Sequence, residues 1–310
     1  MKPLSFKSLK QMLDTLRTEE ECRVYLETLR WNGKPVCPHC GSISEHHYKL
    51  TQNGEFKGLY KCRDCKKRFT IRQGIMFEDS NLPLRTWFHA IYLVFISKKG
   101  ISSCQLGVTQ KTAWFMLQRI RHNMKDDDID FDDTTQVDET YIGGKTKRNK
   151  GGQGRSTKQK IPVMGLLSKG KVHTRVIPNA GKDTLQGVIY NLIKEGVTVV
   201  TDGWKGYRGL GKKYKHKVVN HSKKIYVTKA GFHTNGIEGY WSILKRGIVG
   251  VYHLVSAKHL SKYLQEFAFR YNTRKQTDSD RFNDFLGSFT ERLYYGELLM
   301  KPEWRVIGLV

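Results

Sequence analysis

The stretch His233-Thr-Asn-Gly-Ile-Glu238-Gly-Tyr-Trp-Ser-Ile-Leu-Lys245-Arg246 reads as the opening turns of a helix that carries one carboxylate. Ile237, Trp241, Leu244 and Ile248 recur at steps of four, three and four, so they form one apolar stripe facing a core. Glu238, Ser242 and Lys245 line a neighbouring stripe, with Glu238 in the first turn, where the positive end of a helix favours an anion. A helical glutamate alone means little. Its context comes from two earlier aspartates, each placed at the end of a strand-like run: Val137-Asp138-Glu139-Thr-Tyr-Ile and Val197-Thr-Val-Val-Thr-Asp202-Gly. Two strand-end carboxylates and one helical carboxylate can converge on a pair of divalent cations, because hard ions such as Mg2+ take carboxylate and water oxygens. Two such ions, roughly 3.5–4 Å apart, clamp the attacking and leaving oxygens of a phosphodiester in line. The pattern points to nuclease or strand-transfer chemistry.

These residues also carry a family resemblance. Asp138-Glu-Thr-Tyr-Ile-Gly-Gly, Thr201-Asp-Gly-Trp-Lys-Gly-Tyr207, the His233–Arg246 stretch and Phe267-Ala-Phe-Arg-Tyr-Asn-Thr-Arg274 together resemble the insertion-sequence transposases of the DDE class, in the group with an N-terminal zinc ribbon. With the cysteines below, the resemblance covers nearly the whole chain. It implies a ribonuclease-H-like catalytic fold, metal-binding Asp138, Asp202 and Glu238, and a DNA-contacting Lys245 seven residues after the glutamate, with Arg246 beside it. The resembling family uses either Asn or Glu as third ligand, which makes Asn235 the alternative to Glu238. The glutamate is preferred because a carboxylate neutralises the ions where an amide cannot.

The composition agrees with a polyanionic partner: 54 Lys and Arg against 29 Asp and Glu give a formal charge of +25 over 310 residues. The charge is segregated. Residues 145–160 hold seven bases (Lys145, Lys147, Arg148, Lys150, Arg155, Lys158 and Lys160) and no acid, a loop suited to DNA phosphates, whereas 126–133 holds six Asp and no base. The N-terminus has no apolar stretch of signal-peptide length, and Ile91–Ile96 is far too short to span a bilayer. The expected setting is the bacterial cytoplasm, beside the nucleoid. In a reducing compartment six cysteines favour metal or buried thiols over disulfides.

Taken in order, residues 1–34 read as a helical cap, followed over 35–75 by Cys37-Pro-His-Cys40 and, 21 residues later, Cys62-Arg-Asp-Cys65. Two residues between paired thiolates let both sulfurs reach one tetrahedral Zn2+, so these four cysteines are expected to hold a structural zinc, with His39, His46 and His47 as bystanders. Lys61, Arg63, Lys66, Lys67 and Arg68, with Tyr60 and Phe69 among them, extend the ribbon's role to DNA phosphates. Residues 80–125 read as a helical module resembling a helix-turn-helix, with Gly107 at the turn, Thr109 capping the second helix, and Lys111, Arg119 and Arg121 facing DNA. Here Leu106 abuts Gly107, whereas the resembling transposases have about one further helical turn. The shortened helix predicts that this copy binds DNA through charge but recognises its own ends poorly.

An acidic linker over 126–133 leads into the catalytic domain, 134–275. There a strand, a hairpin turning at Lys169-Gly170, an amphipathic helix through Leu185 to Ile193, and the strand ending at Asp202 precede two later helices, an order that suits a mixed sheet flanked by helices. Arg270 and Arg274 on the closing helix are further DNA candidates, and 276–310 reads as a C-terminal tail. The function expected is a transposase that uses two Mg2+ or Mn2+ ions to cut and join double-stranded DNA at the terminal inverted repeats of its element. It is expected to work as a homo-oligomer across both ends, with no membrane partner. A non-catalytic zinc-ribbon regulator leaves the three acids without a role, and a host ribonuclease-H-like nuclease leaves the ribbon and the basic loop without one.

Overall fold

The computed structural model describes residues 3–124, 129–143, 160–288 and 291–300. The chain divides into two compact units, Met1–Met124 with Lys275–Glu297, and Lys125–Arg274 with Leu298–Val310.

The first unit begins with α1 (Leu9–Thr15) and α2 (Glu19–Trp31). Thr18 and Glu21 start α2 by capping each other's backbone N–H groups, and Asn32, in the left-handed conformation at φ 44°, ends it. The ribbon is a three-stranded antiparallel sheet of β1 (Tyr48–Gln52), β2 (Glu55–Lys61) and β3 (Arg68–Phe69). Asn53 and Gly54, both at positive φ, make the two-residue turn between its first strands. Tyr60 and Phe69, placed by the sequence among the DNA-facing bases, instead stack at 5.4 Å inside the ribbon's core with Cys37 and Cys62. Arg63, Lys66, Lys67 and Arg68 remain exposed.

Two further helices follow, α3 (Leu84–Ile96) and α4 (Gln110–Asn123), with a single 3-10 turn at Ser103–Gln105 between them. The short segment that sequence suggested as the brace of a helix-turn-helix is this one turn. Gly107 turns the chain at φ 70°, and Thr109 occupies the N-cap of α4, although its hydroxyl bonds Thr112 Oγ1 at 2.8 Å rather than a backbone N–H.

In the second unit a five-stranded sheet is built from β4 (Thr135–Ile142), β5 (Ile161–Ser168), β6 (Lys171–Val176), β7 (Thr198–Asp202) and β8 (Lys215–Val219). Its order is β6-β5-β4-β7-β8; β4, β5 and β6 are antiparallel, whereas β7 and β8 run parallel to β4. This mixed sheet is the ribonuclease-H-like arrangement expected. Lys169 and Gly170 form the two-residue hairpin at φ 49° and 73°. Helix α5 (Lys182–Leu192) covers one face through Leu185, Val188 and Ile189. Helices α6 (Asn235–Gly247) and α7 (Leu260–Asn272) cover the other, and the predicted stripe of Ile237, Trp241, Leu244 and Ile248 is buried there. Arg270, a sequence candidate for DNA, is buried in an ion pair with Glu266 (Nη2 to Oε1, 2.6 Å), so it holds α7 rather than a phosphate.

Residues 276–310 are more than a tail. Helix α8 (Asp278–Ser288) returns to the first unit and packs on α2 and α3, with Phe282 edge-on to Phe6, Phe88 and Tyr92. Its apolar residues are few and divided among short runs, which is why a helix stabilised by tertiary packing was not evident in sequence.

Candidate active site and zinc centre

The alternation of strand side chains decides which residues meet. Asp138 is the fourth residue of β4, mid-strand rather than at a strand end, and Asp202 is the last of β7. Gln136 pairs with Val200, so Gln136, Asp138, Val200 and Asp202 share one face of the sheet, the face covered by α6. From that helix the Trp241 indole N–H donates to Asp138 Oδ2 at 3.0 Å. Burial, then the negative charge of Asp202, with a further contribution from Glu238, raises Asp138 to about 6 against the indole's opposing hydrogen bond. The three acids are thus near enough to feel one another. Asp202 Oδ1 accepts the Trp204 N–H at 2.9 Å. Glu238 Oε1 accepts the hydroxyl of buried Thr234 at 2.7 Å and lies 3.3 Å from His221 Nε2.

Several partners of this site carry no signal in the sequence. Gln136 Oε1 accepts the Ile237 N–H at 3.0 Å and its Nε2 lies 3.3 Å from His233 Nδ1, so β4 itself pins the first turn of α6. Gly236 permits that approach: a Cβ there would fall 2.8 Å from Gln136 Oε1. Gly165 on β5, directly across from Asp138, leaves room for the indole, because a Cβ would stand 2.5 Å from Trp241 Cζ2 and 2.9 Å from Ile237 Cδ1. A glycine inside a strand is the one sequence hint of such a close approach. On the opposite face, Glu139 accepts the hydroxyl of fully buried Tyr207 at 2.5 Å. Burial, opposed by this bond and reinforced by the charges of Asp138 and Asp202, raises Glu139 to about 7. Both residues lay within the motifs recognised in sequence, but their pairing depends on the fold.

Among the described residues, no Lys or Arg forms an ion pair with Asp138, Glu139, Asp202 or Glu238. Burial first, and then the uncompensated charges of Asp202 and Glu238, disfavour the ionised form of Asp138. Such an all-oxygen donor set fits hard divalent cations. The three acids are more widely spread than a single-ion cage: the one group of ligand atoms that all lie within 4.8 Å of one another, among the described residues, is that of Cys37, Cys40, Cys62 and Cys65.

Those four thiols show the spacing of a metal centre. Cys37 Sγ lies 3.7 Å from Cys65 Sγ, and Cys40 Sγ 3.6 Å from Cys62 Sγ. Zn–S bonds of about 2.3 Å in a tetrahedron put the sulfurs about 3.8 Å apart, so the cluster fits one Zn2+ with its coordination closed. His47 is not a ligand: its Nδ1 accepts the Arg63 N–H at 3.2 Å and its Nε2 reaches Ser42 O at 3.3 Å, joining the two cysteine knuckles.

With both sites in view, residues 131–272 match the ISXO2-like transposase domain and residues 17–68 match the transposase zinc-ribbon domain. Over these two stretches the chain is similar to transposases of this group. It is also similar to an uncharacterized protein in transposable element ISH50 of Halobacterium salinarum, with 26% identity over 278 residues, 83% of this chain and 92% of the relative.

The expected DNA contacts of this chain divide three ways. Lys245 and Arg246, in the last turn of α6, and Lys111, in the first turn of α4, are exposed. Lys245 stands seven residues beyond Glu238, about 10 Å along the helix. Arg119 and Arg121 do not face DNA: both are buried, and Arg119 donates to the carbonyls of Leu293, Met76 and Glu78. Helical periodicity places a residue on a face but does not say whether a later segment covers that face. Lys160 is half-buried just before β5, and Lys145, Lys147, Arg148, Lys150, Arg155 and Lys158 lie outside the described residues. No helix among the described residues is long and apolar enough to cross a membrane.

The seat of Trp241 yields a direct prediction. Gly165→Ala should overpack this core and destabilise the catalytic unit by about 1–3 kcal/mol, the usual cost of an added methyl where neighbours cannot move. A thermal melt of the zinc-loaded protein without Mg2+ or Mn2+ measures it, and an unchanged midpoint would show that the indole shifts freely.

Proposed function

We propose that the protein is a metal-dependent transposase that binds the terminal inverted repeats of its own insertion sequence, cuts at the ends and joins the freed 3′-hydroxyl to target DNA. The observation that carries this reading is the gathering of Asp138, Asp202 and Glu238 around one sheet face, where burial and then the charges of Asp202 and Glu238 raise Asp138 to about 6. Asp138 and Asp202 would each hold two Mg2+ or Mn2+ ions and Glu238 one. When bound, these ions supply Lewis acidity to water in the cutting step and to the 3′-hydroxyl in the joining step.

The protein's own residues fix the geometry. Trp241 holds one Asp138 oxygen, the Trp204 N–H one Asp202 oxygen, and Thr234 one Glu238 oxygen, so each carboxylate is oriented by the protein. Gln136 sets the distance between the strand acids and the helical one. Lys245 positions a phosphate, and no covalent enzyme intermediate is required. Glu238 is favoured over the exposed Asn235 as third ligand because its charge acts on Asp138. The zinc ribbon folds around its metal and adds phosphate contacts, and two copies of the chain would bring both ends together.

A duplex carrying one end of the element tests the proposal. Divalent-dependent nicking followed by joining of the cut 3′ end to a plasmid is expected. Binding without nicking would make the protein a regulator, and nicking without joining would make it a nuclease.

A further inference from the structure

From Gly203 to Ile237, the stretch between the second and third acids, the chain contains nine Lys or Arg and no Asp or Glu. Unlike the basic loop at 145–160, this stretch has a defined place in the sheet. Asp202 pairs with Val219 and Val200 with Lys217 across the parallel β7 and β8 strands. Side chains alternate along a strand, so Lys217, and Lys215 two residues before it, stand on the same sheet face as Asp138 and Asp202. Both lysines are exposed, and Lys217 Nζ lies 5.6 Å above the Phe232 ring. Strand β8 is an edge of the sheet, with its outer backbone unpaired by any strand among the described residues.

The chain then passes beside the third acid. His221 reaches Thr234 Oγ1 at 3.1 Å and Glu238 Oε1 at 3.3 Å, and its ring meets Tyr226 edge-on at 5.4 Å. Tyr226 is nonetheless 55% exposed, between exposed Ile225 and Val227, and Lys223 and Lys224 are exposed just before it. Basic side chains that track a backbone, with an exposed aromatic ring among them, are the pattern by which proteins hold an unpaired nucleic acid strand: the cations meet phosphates and the ring stacks on a base.

We propose that edge strand β8 and the turn after it form the track that leads DNA to the catalytic acids, with Lys215, Lys217, Lys223 and Lys224 on phosphates and Tyr226 stacked on an unpaired base beside Glu238. The track rests on the transposase assignment above and gives it a DNA-holding surface that lies on the face of the acids. Its base-stacking end is tied to Glu238 through His221, so a strand held there has a phosphate within reach of the site.

The experiment uses the full-length zinc-loaded chain and a fluorescent duplex with a single-stranded 3′ overhang, titrated across a range of salt concentrations. Lys217→Gln with Lys223→Gln and Lys224→Gln should reduce the slope of log K against log salt by about 2.7 if all three meet duplex phosphates, and by about 2.1 if they meet the single strand. Removing equal charge from the opposite edge and its hairpin, by Lys169→Gln, Lys171→Gln and Arg175→Gln, should change it far less. Equal losses in the two triple variants overturn the track, because charge alone would then explain binding. Tyr226→Ala should weaken the overhang substrate at least about fivefold and leave a blunt duplex unaffected; equal effects on both overturn the stacking role. A measurement on the unmutated protein avoids any question of folding: bound DNA should shield Lys217, Lys223 and Lys224 from acetylation more than Lys169 and Lys171, and equal reactivity with and without DNA overturns the track. If the unmutated protein binds no DNA at any salt concentration, the transposase assignment itself fails. If it binds while both triple variants bind as well as it does, only the track fails.

Discussion

Asp202→Asn should abolish DNA cleavage and joining while leaving DNA affinity within a few fold. The substitution keeps the shape of the side chain and an oxygen to accept the Trp204 N–H, so the end of β7 is preserved. What is lost is one of the carboxylates proposed to hold both cations, and hard divalent ions depend on such charge. No phosphate contact is removed. The same change also relieves repulsion, since the Asp202 charge is, after burial, the largest contribution raising Asp138. The zinc-loaded variant without Mg2+ or Mn2+ should therefore melt no lower than the unmutated protein even though it is inactive, a combination that a simple folding defect cannot produce. Cleavage assays with Mg2+ and Mn2+, anisotropy on the same duplex and a thermal melt measure the three quantities. Retained cleavage would place the active site elsewhere.

Removing zinc should unfold the ribbon. The apolar core there consists of Cys37, Tyr60, Cys62 and Phe69, with Trp31, Phe56 and Cys65 packed around it, and two of its four buried members are metal ligands. So small a core cannot offset the ordering of the surrounding loops. A structural zinc site contributes roughly 10–16 kcal/mol of binding free energy, which is folding free energy in a segment of this kind. A strong chelator should abolish hydrogen-exchange protection across β1 to β3, while β4, β5 and β7 in the other unit keep theirs. Elemental analysis should first find one zinc per chain. Its absence from folded protein, or unchanged protection after chelation, would refute the metal's role.

The cysteine cluster and the core stripe of α6 were legible because they depend on spacing. Cysteine pairs two residues apart and an apolar stripe at steps of three and four constrain geometry within a few turns of chain, and both are realised in the structure. The mixed sheet also follows from the order of strands and helices, since short connections leave few ways to pair them. The surroundings of the acids were not legible. Gln136 reaches the Ile237 backbone 101 residues away, and the indole of Trp241, which sequence identifies only as an apolar stripe member, turns its N–H to Asp138.

Charge misled for a related reason. Arg119, Arg121 and Arg270 read as solvent-facing cations on their helices, yet the first is buried beneath carbonyls from two distant segments and the last beside Glu266. Local periodicity determines which residues share a face of a helix or strand. What covers that face, and so whether a cation meets DNA or the protein's own carbonyls, depends on long-range packing that brings together residues far apart in the chain.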